Sequence, residues 1–135
     1  IKKANEVLID DYAHHPAEIN AVHSAVREMY PNKRVLAVFQ PHLFSRTRDF
    51  MEEFAASLAQ FDELLLLDIY PAREEPIEDV TSEKLLELIP LTRKEVISKA
   101  QLEEKLQASK ATVKVMMGAG DIGEEILKLT KTLAV

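Results

Sequence analysis

The chain has 135 residues, with 17 Lys and Arg against 23 Asp and Glu and a net charge of −6, a length that suits one domain burying about two-thirds of its unfolded surface. With 47% hydrophobic and 30% charged residues the composition is ordinary globular, and the acidic balance excludes a protein that grips a nucleic-acid phosphate backbone, although a small local cationic patch is still allowed. No apolar run nears the roughly 18 residues of a membrane span, no basic-then-apolar leader is read ahead of the first structured run, and the absence of cysteine excludes disulfides and thiol chemistry, which fits a reducing, cytoplasmic setting.

The chain begins with Ile1 rather than Met, which predicts a piece of a longer protein. Glu6 to Tyr12 carries three consecutive aliphatics and ends in acids, the pattern of a short buried strand. His15 to Tyr30 changes to a helical rhythm, with Ile19, Val22, Val26 and Met29 on one stripe and Pro16 at a tolerated first-turn position. Arg34 to Gln40 is a second strand stopped by Pro41, and Asp49 to Leu58 a second helix with Phe50, Phe54 and Leu58 spaced four apart. Glu63 to Tyr70 is the most continuous apolar run, as for a central strand covered on both faces. A polar loop leads to a short helix from Ser82 to Ile89, a weaker strand from Glu95 to Ser98 and a short helix from Gln101 to Gln107. A fifth strand follows from Thr112 to Met117, then a closing helix from Asp121 to Leu133. Strands alternating with helices predict an α/β fold, with a mostly parallel sheet of about five to six strands and helices on both faces, over one domain spanning 1–135.

In such sheets ligands bind beyond the carboxyl ends of the strands. Three of the four histidines and a compact group of arginines fall in the loops at that edge. Asp10 and Asp11 end the first strand, where a carboxylate can hold a ribose hydroxyl pair, a metal ion or a proton, or can cap the next helix. His14 and His15 open that helix, either as ligand-binding imidazoles or as plain capping residues. A zinc site built from them with His42 and Asp11 has no diagnostic spacing, and His23 lies on the core stripe as a structural residue. Arg46 and Arg48 flank Thr47, with Ser45 as a possible cap. The pair makes either a phosphate- or carboxylate-binding fork, or two solvated charges with one bonded to Asp49. Gly118-Ala119-Gly120-Asp121-Ile122-Gly123 fits G-x-G-x-x-G after a strand. No second strand carries the acid a dinucleotide requires, so Gly118 and Gly120 are read as a close backbone approach to an anion rather than an NAD site.

Four strings then resemble one family in order: LIDDYAHHPAEI (Leu8 to Ile19), FQPHLFSRTRDF (Phe39 to Phe50), DIYPAREEPI (Asp68 to Ile77) and GAGDIG (Gly118 to Gly123). They resemble the carboxy-terminal domain of the Mur ligases, the amino-acid-adding ligases of peptidoglycan synthesis, and among these the ligases that join L-alanine to UDP-N-acetylmuramate. The resemblance implies a Rossmann-like domain of an ATP- and Mg2+-dependent, amide-forming enzyme that works through an acyl phosphate. It implies amino-terminal UDP-sugar and central ATPase domains outside this chain, the latter holding most of the ATP and the Mg2+, so that the isolated domain is inactive. It assigns Asp11 to the ribose, Tyr12 and His14 to the ATP site, and His14, His15, His42, Arg46 and Arg48 to the amino acid or phosphates. No metal ligand is placed on this domain.

A competing reading is a phosphoacceptor receiver domain, since Asp10, Asp11 and Asp68 at strand ends mimic its acidic pocket. Against it, Gly118-Ala119-Gly120 stands where a receiver has lysine.

Overall fold

A computed structural model of the chain describes residues 2–3 and 6–118. It contains one six-stranded sheet in the order β1-β2-β6-β3-β4-β5. The strands are β1 (Lys2–Lys3), β2 (Glu6–Asp11), β3 (Val35–Phe39), β4 (Glu63–Leu66), β5 (Lys94–Val96) and β6 (Val113–Met117). The two-residue β1 is antiparallel to β2, and every other pairing is parallel. The register places Asp11, Met117, Phe39, Leu66 and Val96 in one row across the carboxyl edge. The five parallel strands therefore lie, in chain order, first, fifth, second, third, fourth, whereas a receiver has the order 2-1-3-4-5. That difference overturns the receiver reading.

Both faces of the sheet are covered, which is why β3, β4 and β6 are apolar on both faces apart from the buried Glu63 and Lys114. On one face Val35, Ala37, Phe39, Leu64, Leu66, Val113, Val115 and Met117 pack under α1 (Pro16–Met29), α3 (Met51–Leu58) and α4 (Ser82–Glu87). On the other, Leu36, Val38, Leu65, Leu67 and Met116 pack under Leu102 and Leu106 of α5 (Leu102–Ala108). Lys114 is buried on that second face, and its Nζ donates to Leu106 O in the last turn of α5, where a cation suits the helix dipole. The edge strand β5 carries Lys94 and Glu95, charges that discourage pairing with another chain. Lys94 Nζ also closes the end of α4 by donating to Leu86 O (2.9 Å) and Ile89 O (2.7 Å).

The amino edge is tied by one carboxylate. Asp62 Oδ2 accepts the Val35 N–H (2.8 Å) and Arg27 Nη1 (3.1 Å). Arg27 donates further to Lys33 O, Gln60 O and His23 Nε2, which fastens the end of α1 to the starts of β3 and β4. His23 is structural, with its ring 5.0 Å from Phe61.

The helix expected over Asp49 to Leu58 starts earlier and is broken. It forms α2 (Phe44–Asp49) and α3 with Phe50 between them at φ −121° and ψ 25°. The run expected as a strand to Tyr70 pairs regularly only to Leu66. The fourth of the expected strands lies at Lys94–Val96 rather than Glu95 to Ser98, and α5 follows a short 3₁₀ turn at Lys99–Gln101. The closing helix expected from Asp121 lies outside the described residues. Among the described residues no helix is long and apolar enough to cross a membrane.

Candidate functional site

At the end of β2 the Asp11 carboxylate turns the chain by accepting the Ala13 N–H through Oδ1 (2.9 Å), an Asx turn. Neither Asp10 nor Asp11 caps α1; His15 holds that position without a side-chain bond, ahead of Pro16. Burial and the neighbouring Asp11 charge both push the Asp10 carboxyl above its usual range. His14 lies 3.0 Å through Nδ1 from Tyr12 O and 3.4 Å from Glu18 Oε1. A carbonyl only accepts, so the Tyr12 partner assigns the proton of a neutral His14 to Nδ1 and leaves Nε2 as a lone pair.

His42 has the opposite tautomer. Arg46 Nη1 stands 3.1 Å from its Nδ1, and a guanidinium only donates, so the neutral His42 ring carries its proton on Nε2. Burial lowers the His42 pKa, the Arg46 and His14 charges lower it further, and Glu74 opposes them. The four rings form a row across three loops: Tyr12 edge-on to His14 (5.7 Å), His14 edge-on to His42 (6.1 Å), and His42 stacked on Tyr70 (5.6 Å, 13° between planes). Tyr12, 69% exposed, stands at one end of the row.

The loops after β3 and β4 are joined to each other. His42 and Tyr70 form a parallel bridge, with Leu43 N–H donating to Tyr70 O and Tyr70 N–H to Pro41 O, both at 2.8 Å. Ser45, expected as a helix cap, instead donates its N–H (3.1 Å) and hydroxyl to the Glu74 carboxylate; Leu43 holds the cap position with no side-chain bond. These bonds hold the Glu74 carboxyl below its usual range. A crevice of about 320 Å³ opens beside them, between the carboxyl ends of β4 and β5, lined by Gln40, Asp68, Tyr70, Ser98 and Lys99 among others.

Two expected site residues have other surroundings. The His15 ring packs edge-on against Phe50 at 4.8 Å. Arg48 Nε donates to Asp49 Oδ1 at 2.9 Å, with both side chains more than half exposed. Gly118 sits at φ 155°, a region open to glycine, and gives its N–H to Asp11 O (3.3 Å). Gly120 and the rest of the glycine motif lie outside the described residues. Among the described residues no three His, Asp or Glu side chains come together to hold a metal ion, so the zinc cluster of His14, His15, His42 and Asp11 is not assembled. Tyr70 and Glu74 lie in the DIYPAREEPI string without standing out there as site residues; the adjacency of β3 and β4 brings them to His42 and Ser45.

The sequence matches the family described as Mur ligase, glutamate ligase domain, over residues 1–122. It is 66% identical over 98% of its length to a UDP-N-acetylmuramate–L-alanine ligase of Christiangramia forsetii, of which it covers 29%. To the protein so named from Flavobacterium psychrophilum it is 61% identical over 98% of its length, covering 30% of that chain. The crystal structure of UDP-N-acetylmuramate-alanine ligase from Thermotoga maritima superposes with a TM-score of 0.70 at 26% identity, over 93% of this chain and 26% of that one. The chain thus spans about 30% of the length of the curated relatives it matches. By the family match and these relatives, the chain belongs to the Mur ligase, glutamate ligase domain family.

Proposed function

We propose that the chain is the carboxy-terminal domain of an ATP-dependent ligase that joins L-alanine to UDP-N-acetylmuramate in the cytoplasm. The observation that carries this reading is the 66% identity, over nearly the whole chain, to a ligase of that name. The gathering of Tyr12, His14, His42 and Arg46 at the carboxyl edge supports it. The sugar-binding and ATPase parts belong to the remaining two-thirds of such an enzyme. Magnesium is assigned to those parts as well, together with most of the ATP.

The chemistry is charge management. ATP supplies a γ-phosphoryl group to the muramate carboxylate, and the alanine amine displaces phosphate from the resulting acyl phosphate. Asp11 Oδ2 accepts from the ribose hydroxyls, and the exposed Tyr12 ring and His14 border the nucleotide. Arg46 and the Nε2–H of His42 are donors for the alanine carboxylate or the phosphate oxygens, placed before charge develops. His14 presents its Nε2 lone pair to the same space. His15 and Arg48, with Phe50 and Asp49 as neighbours, act at the margin, and the glycine turn at Gly118 and Gly120 brings backbone close to an anion.

The test is phosphate release by the full-length enzyme containing this domain, given UDP-N-acetylmuramate, ATP, Mg2+ and one amino acid at a time. Turnover with L-alanine above glycine and L-serine is expected. Turnover no higher than the blank in a folded enzyme refutes the reading.

A further inference from the structure

Backbone strain is concentrated beside the site. All four non-glycine residues at positive φ among those described lie in the loops after β3 and β4, and three of them flank the His42–Tyr70 bridge: Leu43 (74°), Ala72 (46°) and Arg73 (77°), with Asp79 (65°) further along. Such conformations persist only where surrounding contacts over-determine them. One set of contacts is the His42–Tyr70 bridge and ring stack. The other is Glu74. Its N–H closes a turn on Pro71 O (2.9 Å), which brings the carboxylate back across the gap between the loops. There Oε1 takes the Ser45 N–H and Oε2 the Ser45 hydroxyl, so both oxygens hold one residue in the first turn of α2. The next residue is Arg46, whose Nη1 reaches His42 Nδ1.

We propose that Glu74 is a positioning residue: by holding Ser45 it locks the strained turn at residues 70–74 onto α2 and so sets Arg46 and the outward Nε2–H of His42. The proposal rests on the ligase reading of this edge and adds to it a part that touches no substrate. Glutamine at this position keeps the shape: its Oε1 still accepts the Ser45 N–H and its amide nitrogen donates to the Ser45 hydroxyl, but both bonds lose the carboxylate charge that makes them about twice as strong as neutral ones. It also removes a negative charge from the groups that face His42, which are Arg46, His14, Tyr70 and Glu74 itself.

Two measurements test this. In the 135-residue chain, NMR titration of the His42 ring should move to lower pH in Glu74→Gln, because the Arg46 and His14 charges are then less opposed, with a shift of the Ser45 amide resonance. In the full-length ligase, Glu74→Gln and Ser45→Ala should each raise the Michaelis constant for L-alanine or ATP about tenfold while kcat changes by less than about threefold. The double variant should be no worse than the poorer single, because the two act as one unit. An unmoved His42 titration, a wild-type Michaelis constant in Glu74→Gln, or additive losses in the double variant would each overturn the proposal. If Glu74→Gln does not fold, Ser45→Ala carries the kinetic readout and Glu74→Ala the titration. A wild-type enzyme without alanine-dependent turnover would sink the ligase reading alone, and the His42 titration would still decide whether Glu74 sets the ring.

Discussion

Replacing Asp62 tests the account of the amino edge quantitatively. Asp62→Ala removes the acceptor of the Val35 N–H, and Val35 is fully buried at the start of β3. A buried donor left unpaired costs about 1–3 kcal/mol. The Arg27–Asp62 ion pair adds only about 0.5 kcal/mol, because its side chains are 29% and 39% exposed and solvent screens them. Together the loss is about 1.5–3.5 kcal/mol. Asp62→Asn keeps an acceptor for Val35 and loses only the charge, about 1 kcal/mol. Urea unfolding at neutral pH measures both. The pH dependence supplies a second check. Burial raises the Asp62 pKa, but the Val35 N–H and Arg27 outweigh it, so the folded value lies below the ordinary 3.8. A lowered folded pKa gives stability that is present above about 3.8 and lost as pH falls through the folded value. The gap between wild type and Asp62→Asn should therefore narrow at pH 3. An equal gap at pH 7 and pH 3, or an alanine variant no less stable than the asparagine one, refutes the reasoning.

Phe39→Ala should cost about 3–5 kcal/mol in the same urea assay, since its ring is fully buried against Phe54; a loss under about 1 kcal/mol would mean that the face is not packed as described. In the full-length enzyme Arg46→Ala should raise the Michaelis constant for amino acid or ATP about tenfold and Arg48→Ala less than about twofold, because Arg48 is an exposed partner of Asp49. Equal effects would remove the distinction. Arg46→Ala should also move the His42 titration to higher pH, since one of the charges that disfavours imidazolium is gone. In the wild type the depressed His42 pKa means that stability, full above about 6.5, falls as pH drops toward the folded value; urea midpoints at pH 7.5 and 5.5 give the sign.

The fold was legible because aliphatic runs such as Leu64-Leu65-Leu66 are long and the helical stripe Ile19-Val22-Val26 is regular. The start of α2 was not legible. It opens after Leu43 at φ 74° with no capping side chain, so none of the usual start signals exists in the sequence. The rule that ligands meet the carboxyl edge was enough to group His14, His42 and Arg46. It could not separate His14 from His15, adjacent residues whose rings face Tyr12 and Phe50 respectively. Nor could it find Glu74, which is 29 residues from Ser45 and reaches it only because β3 and β4 lie side by side.

The position of β6 bears on how the molecule is made. It is the last of the described strands in chain order, yet it pairs on both sides, with β2 and with β3. The pairing of Val7 with Val113 spans 113 − 7 = 106 positions. Among the described strands, β2 has only the two residues of β1 to pair with until residues 113–117 emerge, and β3 presents an open edge along Val35–Phe39. A nascent chain at that stage holds a three-stranded half-sheet, with α1 able to pack on α3 and β2 still apart from it, and both β2 and β3 carry apolar surface and unpaired backbone. Non-local closure of this kind slows folding, because the loop entropy is lost before the two rows of β6 bonds form in the gap between β2 and β3.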